Sequence, residues 1–183
     1  MVKRTRALTA ATVVGAVVIL SLGRPAFAQV PTAAPQLTRA YHIFLTGKAR
    51  MVVNDALDGA VRRLARPQCQ QLFTDFADPA GHALSDTLAA SGKTAGESLA
   101  DLYFVEGDGS PQCRANDWTA AFTVPRSRVI YVCGTQFVGD RFPLAHDLQE
   151  ILLIHELLHA LGLGENPPTS AHITDAVRTR CGK

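Results

Sequence analysis

The segment Asp147 to Glu165, DLQEILLIHELLHALGLGE, carries His155 and His159 four residues apart, with Glu156 directly after the first histidine. On an α-helix, residues i and i+4 project from one face a turn apart, so two imidazoles at this spacing can place nitrogens on the same metal ion. Glu156 sits at the margin of that face, where its carboxylate reaches the open side of such an ion as a proton acceptor rather than a ligand. Ile151, Leu152, Leu153, Ile154, Leu157, Leu158 and Leu161 are apolar nearly all round the wheel, which predicts a helix through the middle of a core. Asp147 as N-cap with Glu150 three residues on predicts a helix over about 148–161, and Gly162 supplies the left-handed position that ends it. With 6 His and five Glu among 183 residues, products of residue frequencies give this spacing about 0.005 times per chain by chance.

A third ligand has three candidates. Glu165 lies ten residues after His155, and Gly162 and Gly164 give the chain freedom to turn back toward the ion. His172 and Asp175 lie further on, where a following helix could deliver a ligand from a second element. Glu165 is favoured, because the glycines supply the flexibility and a carboxylate is an acceptable ligand.

The first residues read as an export signal. Lys3, Arg4 and Arg6 precede an apolar stretch from Ala7 to Leu22, and Ala26-Phe27-Ala28 forms an A-x-A cleavage site, with the cut expected after Ala28. Sixteen mostly small apolar residues are short for a bilayer span, so no stable membrane association is expected after cleavage. Four of the 18 Lys and Arg residues lie within 1–28, which holds no acid, so the remainder carries 14 against 16 Asp and Glu. That balance gives no electrostatic case for binding nucleic acid or a membrane surface. Export, to a secreted or periplasmic location, gives the cysteines a meaning. Cys69, Cys113, Cys133 and Cys181 contain no C-x-x-C and are expected to form two disulfides in an oxidising compartment. Three pairings exist; the favoured one joins Cys113 with Cys133 across a turn at Pro125-Arg126-Ser127, and hence Cys69 with Cys181.

Gln29 to Ala40 is rich in Pro, Ala and Thr and reads as a flexible lead-in, which leaves 41–183 as one domain. Val53, Leu57, Ala60, Val61 and Leu64 predict a helix from about Arg50 to Ala65, stopping before Pro67. Cys69, Leu72, Phe73 and Phe76 predict a shorter one, broken at Asp78-Pro79-Ala80-Gly81. Leu84 and Leu88 mark another helical turn, and the region to Glu97 is weakly patterned. Leu102 to Val105 reads as a strand, and Trp118 to Val124 with Arg128 to Cys133 as a hairpin. Thr169-Ser170 opens a last helix through Ile173, Val177 and Cys181. The expected fold is a single small α+β domain: N-terminal helices, a small mostly antiparallel sheet, a buried metal-binding helix and a C-terminal helix. His42 and His82 stand apart from the motif as surface or locally bonded residues. Tyr131 reads as a strand packing residue more than as a group that polarises a substrate carbonyl.

The run His155-Glu156-Leu157-Leu158-His159-Ala160-Leu161-Gly162-Leu163-Gly164-Glu165 resembles the HExxHxxGxxH zinc site of the metzincin metallopeptidases, within the wider HExxH zincin group. The resemblance covers about eleven contiguous residues and a strand-then-helix order upstream. It implies a single zincin-like domain in which His155 and His159 bind Zn2+ and Glu156 is the general base. It further implies that Gly162 turns the chain so that Glu165 becomes the third ligand. Glu165 stands where the pattern has His, and the only methionines are Met1 and Met51, so the Met-turn is missing. The chain is metzincin-like without matching a named metzincin family. An edge strand, Trp118 to Val124 or Arg128 to Cys133, is implied to pair with extended substrate. The implied function is an exported zinc-dependent endopeptidase that hydrolyses a peptide or protein with metal-activated water. The alternative is an exported, disulfide-bridged zinc-binding or peptide-binding protein without proteolytic activity.

Overall fold

The computed structural model describes residues 41–115, 117–139 and 145–182, all within one unit spanning Thr38–Lys183. The expected export signal at 1–28 and lead-in at 29–40 lie outside the described residues. The elements run β1 (His42–Phe44), α1 (Gly47–Leu64), α2 (Pro67–Gln70), α3 (Leu72–Asp75), α4 (Leu84–Ser91), α5 (Ala95–Ala100), β2 (Tyr103–Glu106), α6 (Pro111–Ala115), β3 (Ala121–Thr123), β4 (Val129–Val132), α7 (Gly134–Val138), α8 (His146–Ala160) and α9 (Ser170–Cys181).

Helix α1 buries Val53, Leu57, Ala60 and Leu64 of the expected stripe together with Ala56, while Val61 is half-buried. It packs along α8, which also meets β3, α5 and α9. Covered on so many sides, α8 is buried almost continuously from Gln149 to His159, and its all-round apolarity is the sequence counterpart of that position. Its start differs from expectation. The cap is Ala145, without a side-chain cap hydrogen bond, and Asp147 lies in the first turn. Glu150 does not complete a capping box either: its carboxylate is drawn across the helix contact into a buried ion pair with Arg63 of α1, with His146 3.2 Å away. Gly59 makes room for that carboxylate, since a Cβ there would lie 1.9 Å from Glu150 Oε1. Arg63 also donates through Nη1 to the Cys181 carbonyl at 2.8 Å, so one guanidinium ties α1, α8 and the end of α9 together.

The strands form one sheet in the order β1-β2-β4-β3. The domain is α+β as anticipated, but the sheet is mixed rather than mostly antiparallel. β1 with β2 and β2 with β4 run parallel, and only the β3–β4 hairpin is antiparallel. Parallel neighbours need long crossovers, and here α1 to α5 connect β1 with β2 while α6 and β3 intervene before β4. The weakly patterned stretch before Glu97 holds α5, started by a Thr94–Glu97 capping box. The T-x-x-E signature was present there to be read.

Two disulfides are present, Cys69–Cys181 and Cys113–Cys133, the connectivity favoured from the sequence. The first joins α2 to the end of α9 over a sequence separation of 112, the second joins α6 to the end of β4 over 20. Among the described residues no helix is long and apolar enough to cross a membrane; with the disulfides, this is compatible with an extracellular protein. Loop-closure entropy ranks the bridges. Replacing Cys69 and Cys181 with Ser should cost about 5 kcal/mol and replacing Cys113 and Cys133 about 3 kcal/mol, read as the difference in urea unfolding free energy. The reverse order would show that strain or residual structure, not closure, sets their contributions.

Candidate metal centre

Helix α8 presents His155, Glu156 and His159, all buried, toward one cavity of about 600 Å³. The two histidine Nε2 atoms face each other at 3.1 Å. Their outer nitrogens are engaged: His159 Nδ1 lies 2.9 Å from the Leu163 carbonyl, and His155 Nδ1 lies 2.9 Å from Thr174 Oγ1 on α9. A carbonyl only accepts, so His159 carries its proton on Nδ1 and turns a lone pair inward from Nε2. Thr174 Oγ1 can accept in the same way from His155. With Thr174 accepting, both inward nitrogens offer lone pairs to a cation, and a tetrahedral ion with bonds of about 2.0–2.1 Å holds its nitrogens about 3.3 Å apart; with Thr174 donating, the same pair is an Nε2–H···Nε2 hydrogen bond. The donor pair fits a metal ion. Burial, with repulsion from His159 second, lowers the His155 pKa to about 3, which keeps the ring neutral as a ligand must be.

The turn after α8 completes the group. Gly162 has φ +121, a backbone state that disfavours other residues, and its N–H returns to the His159 carbonyl at 2.8 Å while Leu163 N–H reaches the Leu158 carbonyl at 3.0 Å. This reversal brings the Leu163 carbonyl onto His159 and carries Glu165 back to the histidines. Ligand-capable atoms of His155, His159 and Glu165 lie within 4.8 Å of one another, the one convergent group of its kind among the described residues. Glu165 is exposed and the histidines are buried, so the group opens to solvent on the Glu165 side. His172 and Asp175 are not in it. The His172 ring meets the edge of Phe76 at 6.1 Å between centroids, and Asp175 pairs with Arg178 at 3.3 Å.

Glu156 is the unsatisfied member. Its Oε2 is buried without a hydrogen-bond partner, alone in this among the described residues. Burial first, then the charge of Glu165, raises its pKa to about 8, while a hydrogen bond from the Thr123 backbone pulls the other way. Thr123 belongs to β3, an outer strand of the sheet that lines the same cavity. The Ala120 carbonyl accepts from Cys133 N–H at 3.0 Å, and antiparallel alternation then points the backbone groups of Ala121 and Thr123 away from β4.

Sequence reasoning missed a brace beneath the turn. Arg126, at φ 67 in the β3–β4 turn, donates its backbone N–H to the His159 carbonyl at 2.9 Å and its Nη2 to Asp78 Oδ2 at 2.6 Å. Asp78 Oδ1 in turn accepts from the backbone N–H groups of Ala80 and His82 at 2.9 and 3.0 Å. The His82 backbone bond foremost holds the Asp78 carboxyl below its ordinary pKa. The Asp-Pro-Ala-Gly run announced the loop but not its distant partner. Tyr131 stacks on Phe122 at 5.0 Å between centroids, and His42 stacks on Tyr103 at 4.8 Å. No protein-family model, curated protein or solved structure matches this chain.

Three outcomes are expected. Metal bound per chain, measured by mass spectrometry against a competing chelator, should fall in Glu165→Ala and not in His172→Ala or Asp175→Ala. Thr174→Val should weaken binding about 10- to 100-fold, and Thr174→Ser should restore it. In chelator-treated protein the unfolded Glu156 ionises near 4.5 and the folded one near 8. Between these values unfolding releases a proton, so rising pH destabilises the parent relative to Glu156→Gln by up to about 1.4 kcal/mol per pH unit. Parallel urea-unfolding curves for the two proteins from pH 5 to 8 would contradict that environment for Glu156.

Proposed function

We propose that the chain is an exported, zinc-dependent peptidase of the zincin type, metzincin-like in the run from His155 to Glu165. The observation that carries this is the buried Glu156 carboxyl, with one oxygen left unpartnered beside a two-histidine, one-carboxylate group that opens onto a groove. His155 and His159 would hold zinc through Nε2, with Glu165 as the third ligand. When bound, zinc acidifies water and polarises a carbonyl oxygen. Glu156 takes the proton of the attacking water on Oε2 and returns it to the leaving amine. Burial raises its proton affinity, and a neighbouring cation lowers it again, which keeps it useful near neutral pH. The Thr123 N–H holds the carboxyl in place, and the outward N–H and C=O of Ala121 are available to align an extended peptide as an added strand.

A binding protein that used zinc only as scaffold would have no use for a buried carboxyl with an unused oxygen beside the group. The disulfides and the lack of a spanning helix among the described residues agree with secretion or a periplasmic location after loss of residues 1–28. The expected partner is a peptide or protein substrate, with no role for nucleic acid.

Chelator-sensitive cleavage of a mixed peptide library by the parent protein tests the reading. Glu156→Gln should keep zinc content and circular dichroism while losing at least about 100-fold in turnover. Near-native turnover in that variant would remove Glu156 as the base, and absence of chelator-sensitive cleavage in the parent would remove the peptidase.

A further inference from the structure

We propose that Trp118 forms a distal subsite of this groove, which takes a bulky apolar side chain from an extended peptide several residues from the bond that is cut. The proposal rests on the peptidase reading for the cut itself, but the recognition it describes can be measured without cleavage.

Trp118 is the only tryptophan in the chain and, among the described residues, the most exposed large hydrophobic side chain, at 82%. It lies on the wall of the cavity that holds His155, Glu156 and His159. The other exposed large hydrophobics, Phe44, Met51 and Val124, do not line that cavity. Single exposed apolar residues are ordinary on a surface, so position decides here. Trp118 stands three residues before Ala121 on the segment leading into β3, and pairing with the neighbouring strand already begins at Ala120, whose carbonyl accepts from Cys133. The line from Thr123, which touches Glu156, to Trp118 is therefore one wall of the groove. At about 3.3 Å per residue it spans at most about 17 Å, the length of about five residues of extended peptide.

The Cys113–Cys133 bridge ties α6, which precedes Trp118, to the end of β4, and Gln136 Nε2 donates to the Cys113 carbonyl at 3.0 Å. An indole has only two side-chain torsions to fix when a partner covers it, one reason such residues dominate binding energy at interfaces. Beside the polar Thr119 and Ser170, the groove is lined by the small or aliphatic Ala115, Ala120, Ala121 and Leu152. Its two carboxylates, Glu156 and Glu165, belong to the metal group, where a bound cation would offset them, so the apolar wall and not charge selects the peptide.

Because Trp118 is the sole indole, its emission reports directly on whether it is covered. In zinc-loaded Glu156→Gln, ten-residue peptides with Phe or Leu scanned through an alanine-serine background should give a saturable blue shift. Binding should be at least tenfold tighter for one register than for the peptide without an apolar residue. In the active protein, Trp118→Ala should lower by at least tenfold the ratio of kcat/KM for the best long peptide to that for a tetrapeptide containing the cut bond, and Trp118→Phe should restore most of it. Calorimetric binding with unchanged emission, or a ratio unaltered in Trp118→Ala, would overturn the subsite. A blue shift with no cleavage of any peptide by the parent would retain the subsite and remove the peptidase reading.

Discussion

A helix driven through an apolar core can carry polar side chains only if its neighbours satisfy them, and α8 carries five: Gln149, Glu150, His155, Glu156 and His159. An orphaned polar group in such a place costs about 1–3 kcal/mol. Much of the surrounding fold answers that demand. Arg63 of α1 meets Glu150, the Phe137 carbonyl of α7 accepts from Gln149 at 2.8 Å, Thr174 of α9 meets His155, and the Leu163 carbonyl meets His159. Helices on three sides are thereby committed to positions that packing alone would leave adjustable. Glu156 Oε2 is the remainder, and the chemistry proposed for the chain is located on it.

The two faces of the centre are held by different means. One face is covalently fixed through α9, whose Thr174 orients His155 and whose Cys181 is bonded to Cys69. The other depends on a chain reversal at Gly162, against which Arg126 and Asp78 pack: a Cβ on Gly162 would lie 3.4 Å from Arg126 Nε and 3.5 Å from the Asp78 Cβ. The hairpin turn, the loop after α3 and the end of α8 thus meet at one point. Glu165 emerges from that point as the exposed ligand-capable group, on the solvent side of the two histidines.

What the sequence disclosed follows from the range of each interaction. The i, i+4 histidines, the all-round apolar helix and the glycine stop are local, and they placed α8 and its three polar residues. The cap of α8 was misjudged because Glu150 has a stronger partner 87 positions away in Arg63. The parallel pairings were missed because β1 has only three residues and its alignment with β2 is imposed by a helical crossover, not by any pattern in the strand. Thr174, Arg126 and Asp78 look like ordinary helix, turn and loop residues in the sequence. Only the tertiary fold brings them to the histidines.

Gly59 and Arg63 lie one helical turn apart on α1, and Glu150 fills the space that the missing side chain leaves. A Cβ at position 59 would force that carboxylate to move, and without the carboxylate the guanidinium loses its counter-charge. The three positions therefore act as one mechanical unit: enlarging position 59 would push Glu150 off Arg63 and loosen the seam between α1 and α8, far from the histidines yet on the helix that carries them.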